Sequence, residues 1–163
     1  CLILKNSYLA NVDGVLNAVV IDGSPIGKSI LQGEGAGPGP TSSALVSDLC
    51  SILRGNIKYP FGVSSILRKK INKFDILKHI SSSYLRIEVK DIPGVLSSIT
   101  KIFAQNKISI KNLIQNPDKK NKKASIIIIT HENLEKNYNK LLKNLSKNKF
   151  VLRRPTFIRI EKV

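Results

Sequence analysis

The sequence has no methionine, no tryptophan and only two cysteines, Cys1 and Cys50, in 163 residues. Two cysteines without a CxxC spacing are too few for a disulfide framework. His79 and His131 have no companion ligands at metal-binding spacing, so we predict no metal site. Because translation normally begins with methionine, its complete absence favours a chain that is the carboxyl-terminal part of something longer.

Long apolar runs are also absent. The longest run centres on Ile126–Ile129, far short of the roughly 20 residues of a membrane-spanning helix. No signal-peptide pattern with a small-residue cleavage site occurs at the amino terminus. We therefore expect a cytoplasmic protein that has no membrane partner.

Acidic residues are scarce, and the formal net charge is +16. Residues 1–62 carry four basic and four acidic residues, so the excess lies entirely from residue 63 onward. Lys119–Lys123 form a lysine-rich connection that either contacts phosphate or is a solvated loop. No aromatic stacking platform accompanies these lysines, and lysine, asparagine and isoleucine are abundant throughout this half. A compositional bias explains the charge at least as well as phosphate contact does, and we predict no nucleic-acid partner.

The second half shows a strand followed by a helix. Apolar residues alternate over Leu85–Val89 and then recur at helical spacing over Val95–Phe103. Pro93 and Gly94 mark the junction, where proline is tolerated in a first helical turn and glycine lets a ligand approach the backbone. Free N–H groups there suit a carboxylate, which predicts amino-acid binding. The alternative is that Pro-Gly is merely a turn.

The downstream pattern completes a β-α-β-β-α-β order. Alternation at Ile108 and Ile110 predicts a strand, Ala124–Thr130 a second, Leu134–Leu145 a helix and Phe157–Ile160 the closing strand. Counting in twos places Asn112 in phase with the two isoleucines, on an apolar face where its amide needs a partner. That partner is either a ligand or an internal backbone group.

The first half contains the glycine-rich segment Gly33–Pro40, followed by a helical pattern that Thr41 or Ser42 can cap and Gly55 can end. A glycine loop entering a helix is an anion-binding geometry, but this one has neither Walker nor Rossmann spacing. A tight strand-to-helix connection is the alternative. The apolar residues of 15–21 predict a buried strand in which Asn17 is the polar exception.

Two resemblances sharpen these expectations. Residues 84–161, from Tyr84-Leu85-Arg86 through Asn112-Leu113-Ile114-Gln115, resemble the ferredoxin-like ACT regulatory domain. The series Asn11–Ala18, Gly27, Gly33–Gly37, Pro40–Ala44 and Asp48 resembles the end of the homoserine dehydrogenase catalytic domain. The implied fold class is α+β: the end of a substrate and dimerisation α/β domain (1–62), a linker (63–83) and a βαββαβ ACT domain (84–163).

The resemblance also implies functional residues. Gly35, Ala36 and Gly37 match the family's glycine motif that approaches the nicotinamide nucleotide, NADP or NAD. An amino-acid effector, with threonine as the first candidate, is expected to contact residues at the strand-to-helix junction and Asn112. Those junction residues are Asp91, Gly94, Val95 and Leu96.

No counterpart of the family's nucleotide-binding domain or catalytic lysine and carboxylates is found, so no catalytic residue is assigned. Lys28 and Asp48 match no catalytic motif. We expect the chain alone to bind no cofactor and to be inactive, and to form at least a homodimer. The alternative function is a stand-alone amino-acid-sensing ACT module.

Overall fold

The structure, a computed structural model, describes residues 1–55, 62–68, 70, 73–118 and 120–162, so Lys119 and Val163 lie outside the described residues. The strands, numbered in chain order, are β1 Leu2–Ile3, β2 Leu16–Gly23, β3 Gly27–Glu34, β4 Ile80–Lys90, β5 Ile110–Asp118, β6 Lys123–Thr130, β7 Asn133–Leu134 and β8 Thr156–Glu161. The helices are α1 Pro38–Leu53, α2 Val95–Gln105 and α3 Glu135–Ser146. None of the helices in these ranges is long and apolar enough to cross a membrane.

The chain forms two compact units, which we describe separately. The larger unit contains residues 1–5 and 74–162, and the smaller contains residues 6–73. The segment 74–79, which precedes β4, therefore groups with the larger unit, as does the amino-terminal strand β1.

The larger unit is built on a six-stranded sheet in the order β1-β8-β4-β6-β5, with β7 pairing beside β4. β4 pairs antiparallel with β6 and β8, and β1 adds to β8 in parallel. The succession β4-α2-β5-β6-α3-β8 confirms the predicted ferredoxin-like β-α-β-β-α-β order.

The core of this unit lies between one face of the sheet and the two helices. Its apolar side chains are fully or almost fully buried: Leu85, Ile87, Val89, Val95, Ile99, Phe103, Ile108, Ala124, Ile126, Ile128, Tyr138, Leu141 and Leu145. The period-2 residues of β4 and the helical-period residues of α2 and α3 meet there, as the sequence pattern predicts.

A polar cluster is buried with this core. The Thr130 hydroxyl lies 2.6 Å from the Tyr138 hydroxyl and accepts a hydrogen bond from the Ser83 N–H at 3.0 Å. The Tyr138 hydroxyl also lies within hydrogen-bonding distance of the carbonyls of Ser81 and His131. Since an unpaired buried polar group is costly, these contacts fix α3 against β4 and β6.

Several sequence-based boundaries are corrected by the structure. β4 begins at Ile80 rather than near residue 84, because Ser81 and Ser83 are small polar residues that point into the core. Ile108 precedes β5, which begins at Ile110. The strand register shifts between Ile110 and Asn112, so the period-2 count does not carry across Lys111.

The smaller unit contains the antiparallel β2–β3 hairpin and α1. The glycine-rich segment is shorter than the sequence predicts, because Gly33 and Glu34 belong to β3 and α1 already begins at Pro38. Thr41 and Ser42 therefore do not cap the helix. Gly37 is the N-cap, with φ of +124°, a backbone conformation that favours glycine.

Within the single chain the strand at residues 15–21 is not buried. Val15, Val19 and Ile21 are about half exposed. The apolar face of α1, including Leu45 and Leu49, is exposed as well. The described residues of 6–73 contain no buried apolar side chain, so their amphipathic pattern has no core of its own to face.

Candidate functional site

A cavity of about 380 Å³ lies at the junction of β4 and α2. It is lined by Asp91, Ile92, Pro93, Gly94, Val95, Leu96, Gln115 and Ile126. The structure thus brings together four of the residues that the sequence predicts for effector binding. The volume lies in the usual range for small-molecule sites.

Gly94 shapes the opening of this cavity. Its φ is +86°, the left-handed conformation, and it is the N-cap of α2 without any side-chain cap. A Cβ atom built on Gly94 would meet nothing within 4 Å, so space for a ligand remains beside the backbone. Among the described residues the N–H of Leu96 has no hydrogen-bond acceptor. The positive end of a helix dipole therefore faces an open space, which favours an anionic group.

Asp91 supplies the opposite charge at the same cavity. Its N–H is held by the Lys122 carbonyl at 3.0 Å, which fixes the end of β4. A zwitterion needs both kinds of partner: N–H donors for its carboxylate and an acceptor for its ammonium group. The junction provides both, together with the Gln115 amide.

Asn112 does not line this cavity. The register shift at Lys111 reverses the inward and outward alternation, so Asn112 is exposed and Leu113 packs against the core instead. The prediction that Asn112 occupies the apolar face is therefore wrong. Gln115, three residues further along β5, is the amide that the structure places in the cavity, and a bulge of this kind has no signature in the sequence.

A second cavity, of about 340 Å³, lies beside the glycine segment of the smaller unit. It is lined by Glu34, Gly35, Pro40, Thr41, Ala44, Leu45 and Asp48. Gly35 lines this space, whereas Ala36 and Gly37 do not. Asp48, which matches no catalytic motif, lies on α1 and contributes a carboxylate to this cavity. Proline at positions 38 and 40 removes two N–H donors from the first turn.

Gly35 is in close contact with Asn17. A Cβ atom on Gly35 would lie 1.6 Å from Nδ2 and 2.5 Å from Cγ of Asn17. The Gly35 N–H also donates to the Val15 carbonyl at 2.8 Å. The amide of Asn17 thus lies over the glycine backbone, which gives the polar exception of β2 a local structural role.

The described residues contain no group of three or more histidine, cysteine or acidic side chains arranged to hold a metal ion. Lys28 lies opposite Asp22 in the register of the β2–β3 hairpin and does not line the cavity beside Gly35.

Comparison with known families matches both halves of the chain. The family model described as ACT domain matches residues 83–150, and the model described as homoserine dehydrogenase matches residues 1–50. The two matches fall on the elements that carry the cavities at Gly94 and at Gly35.

Individual relatives extend over nearly the whole chain. Homoserine dehydrogenase of Helicobacter pylori is 35% identical over 159 residues, which is 97% of this chain and 37% of the relative. Homoserine dehydrogenase of Neisseria gonorrhoeae is 35% identical, with 98% of this chain and 38% of the relative covered. The chain thus spans less than two fifths of the length of these relatives.

A solved structure agrees with the sequence matches. The homoserine dehydrogenase from Thiobacillus denitrificans is 32% identical and superposes with a TM-score of 0.81, covering 98% of this chain and 37% of that one. The chain therefore belongs to the homoserine dehydrogenase family and joins a segment of that family's domain to an ACT domain.

Proposed function

We propose that this chain is a part of an NAD(P)-dependent homoserine dehydrogenase, which interconverts aspartate semialdehyde and homoserine. The observation that carries the proposal is the collinear match of both halves to one family. In this proposal residues 1–62 complete the substrate and dimerisation domain, 63–83 connect the domains and 84–163 form the regulatory domain.

The cavity at Gly35 is the proposed point of contact with the nicotinamide nucleotide, NADP or NAD. Gly35 presents its backbone at the cavity wall, and Ala36 and Gly37 set the turn into α1. A cofactor supplies hydride chemistry, and the protein supplies binding and orientation. One glycine turn is a small fraction of such a binding site, so the chain by itself is expected to be inactive and to bind no cofactor.

A chimera tests the enzymatic proposal. The matched 159-residue segment of the Helicobacter pylori enzyme is replaced by this chain, and homoserine-dependent reduction of NADP is measured. We expect turnover from the chimera and none from the isolated chain. The Gly35→Val chimera should lose turnover, and the matched Gly33→Val chimera, altered at a glycine with no neighbour within 4 Å, should retain it. A folded chimera without turnover, or turnover by the isolated chain, would contradict the proposal.

The cavity at Gly94 is proposed to bind an amino-acid effector, with threonine as the first candidate. The α2 N-terminus, with the backbone of Gly94, Val95 and Leu96, holds the carboxylate, and Asp91 holds the ammonium group. Gln115, which lines the cavity, is included in the proposed site. Asn112 does not line the cavity, so any contact of its amide with the effector lies outside it.

Calorimetry of the chain with threonine, isoleucine, methionine and lysine tests this site. We expect one of them, threonine first, to bind at millimolar concentration or below, and Asp91→Asn and Gly94→Val to weaken binding at least about tenfold. The variants Gln115→Ala and Asn112→Ala compare the two side-chain amides. Because Gln115 lines the cavity and Asn112 does not, we expect the larger loss of affinity from Gln115→Ala. Failure of all four amino acids to bind would contradict the effector site.

The alternative of a stand-alone amino-acid-sensing module is not favoured. It leaves the homoserine dehydrogenase match of residues 1–50 without a role.

A further inference from the structure

A separate cavity of about 430 Å³ lies in the larger unit where β4 begins and β6 ends. It is lined by Ser82, Lys111, Thr130, His131, Glu132 and Lys162. On β6, Thr130 is four residues from Ile126 of the Gly94 cavity, which corresponds to about 13 Å along a strand. The two cavities are therefore distinct.

Lys111 reaches this cavity because of the β5 bulge. Ile110 pairs with Thr130 and Asn112 with Ile129, so Lys111 has no opposite residue on β6. Bulges re-aim side chains and are enriched beside functional sites. Here the bulge brings an ammonium group beside the end of β6.

The charges around the cavity are unbalanced. Lys162 pairs with Glu132 at 2.5 Å, and this ion pair lowers the pKa of the Glu132 carboxyl. Among the described residues, neither Lys111 nor His131 has a carboxylate partner. Since Lys162 and Glu132 compensate each other, the positive charge of Lys111 remains to attract an anion.

The cavity wall is held by the buried polar cluster. Thr130 is completely buried and hydrogen-bonded to Ser83 and Tyr138. The backbone of His131 is fixed at both groups: its N–H donates to the Ser109 carbonyl at 3.0 Å, and its carbonyl accepts from the Tyr138 hydroxyl at 3.0 Å. Within the described part of the chain the Ser82 hydroxyl makes no hydrogen bond and is available as a donor. Ser82 lies within β4, and the backbone of His131 is held at both its N–H and its carbonyl, so these two donors are positioned before a ligand binds.

We propose that this cavity binds a small oxyanion, either a carboxylate or a phosphate group. Lys111 provides the uncompensated positive charge, and Ser82 and His131 provide hydrogen-bond donors. A cation does not fit, because Glu132 is the only carboxylate in the lining and is already paired. No phenylalanine, tyrosine or tryptophan lines the cavity to stack a base, which argues against a nucleic acid.

The test is a nitrogen-15 NMR titration of the chain with inorganic phosphate and, separately, with succinate, at constant ionic strength maintained with sodium chloride. We expect saturable shifts of the amides of Ser82, His131 and Glu132 with at least one of the two anions. The anion that saturates identifies the source of the oxyanion as phosphate or carboxylate. Lys111→Ala should weaken that binding about fivefold, the effect of one partly exposed charge.

Lys101→Ala is the matched control, because it removes one exposed lysine from α2, away from the cavity. It should leave the dissociation constant within about twofold. Lys111→Gln, which keeps part of the aliphatic stem and a polar end, replaces Lys111→Ala if the latter disturbs the fold. Shifts that never saturate, or equal losses in the Lys101 and Lys111 variants, would overturn the proposal. Saturable binding that shifts the amides around Gly94, and not those around His131, would also overturn the proposal.

Discussion

At the scale of single residues, the missing side chain of Gly35 and the hydroxyl of Tyr138 each determine how the neighbouring groups pack. The amide of Asn17 lies where a Cβ atom of residue 35 would be. The hydroxyl of Tyr138 connects α3 to two strands inside an apolar core. Each contact can be removed by a single substitution.

Gly35→Ala is expected to destabilise the β2–β3 hairpin by at most about 1 kcal/mol, because its new methyl group must displace the exposed Asn17 amide. The double variant Asn17→Ala/Gly35→Ala should recover most of this loss. Amide hydrogen exchange of the hairpin measures both. Gly33→Ala is the control, since a Cβ there meets nothing within 4 Å. If Gly35→Ala remains harmful without Asn17, the glycine is required for another reason.

Tyr138→Phe should lower the free energy of unfolding by about 1–3 kcal/mol at neutral pH, since buried partners of the hydroxyl lose a hydrogen bond. Burial raises the pKa of the Tyr138 phenol above its usual value of 10.0. The neutral phenol therefore stabilises the fold fully below about pH 10, and this contribution is lost as the pH rises toward the folded-state pKa.

Urea unfolding of the parent and of Tyr138→Phe at neutral and alkaline pH tests the direction of this pH dependence. The parent should have a larger free energy of unfolding than the variant at neutral pH, and this difference should shrink above about pH 10. Tyr84→Phe is a matched control, because Tyr84 is only half-buried and its hydroxyl makes no hydrogen bond within the described residues. A difference between parent and Tyr138→Phe that does not change with pH would contradict the assignment.

At the scale of elements, the ACT unit is held together by contacts between the ends of its strands and helices. Glu135, the first residue of α3, is almost fully buried, and its carboxylate accepts two hydrogen bonds from Arg159 of β8, at 2.6 and 2.9 Å. The Glu135 N–H donates to the carbonyl of His79, just before β4. One residue thus connects a helix, a strand and the segment that enters the sheet.

Arg159→Leu is expected to cost about 2 kcal/mol of unfolding free energy, because it leaves the Glu135 carboxylate buried without its partner, although Arg159 itself is partly screened by solvent. Adding Glu135→Gln should reduce the loss. Arg153→Leu breaks the exposed pair with Glu88 and should cost less than about 1 kcal/mol. Chemical unfolding of the three variants measures these differences, and equal costs for the two arginines would contradict the argument.

At the scale of the whole molecule, the two units differ in how well they bury their apolar residues. Every buried apolar side chain among the described residues belongs to the larger unit. In the smaller unit Val19 and Leu31 are opposite each other on the hairpin and are 57% and 61% exposed. Contiguous apolar surface of this kind marks an interaction site.

We expect the chain to form at least a homodimer through this hairpin face, since a symmetric pair covers the same patch on both copies. Sedimentation at high micromolar concentration should show the dimer for the parent and a monomer for Val19→Ser/Leu31→Ser. Leu53→Ser, which removes an 85% exposed leucine from α1, is the control and should remain dimeric. A monomeric parent would contradict the expectation.

The sequence by itself determined the larger fold. A period-2 pattern identifies β4 and helical-period patterns identify α2 and α3, because each of these elements buries one face and the spacing of its apolar residues follows from that. Apolar, β-branched segments identify β6 and β8. The Pro-Gly junction likewise located the cavity at Gly94, since backbone geometry at those two residues depends mainly on local sterics.

Only the tertiary structure decided the remaining features. Because of the β5 bulge, Gln115 and not Asn112 lines the cavity at Gly94, and Lys111 lines the cavity at His131. The sequence does not show this, because a one-residue change of register leaves the sequence pattern unchanged. The serines at the start of β4 looked like part of a linker because their burial depends on Thr130 and Tyr138, which lie far away in the chain. The contact between Asn17 and Gly35 likewise joins two segments that are separated in the sequence, so local propensities do not predict it.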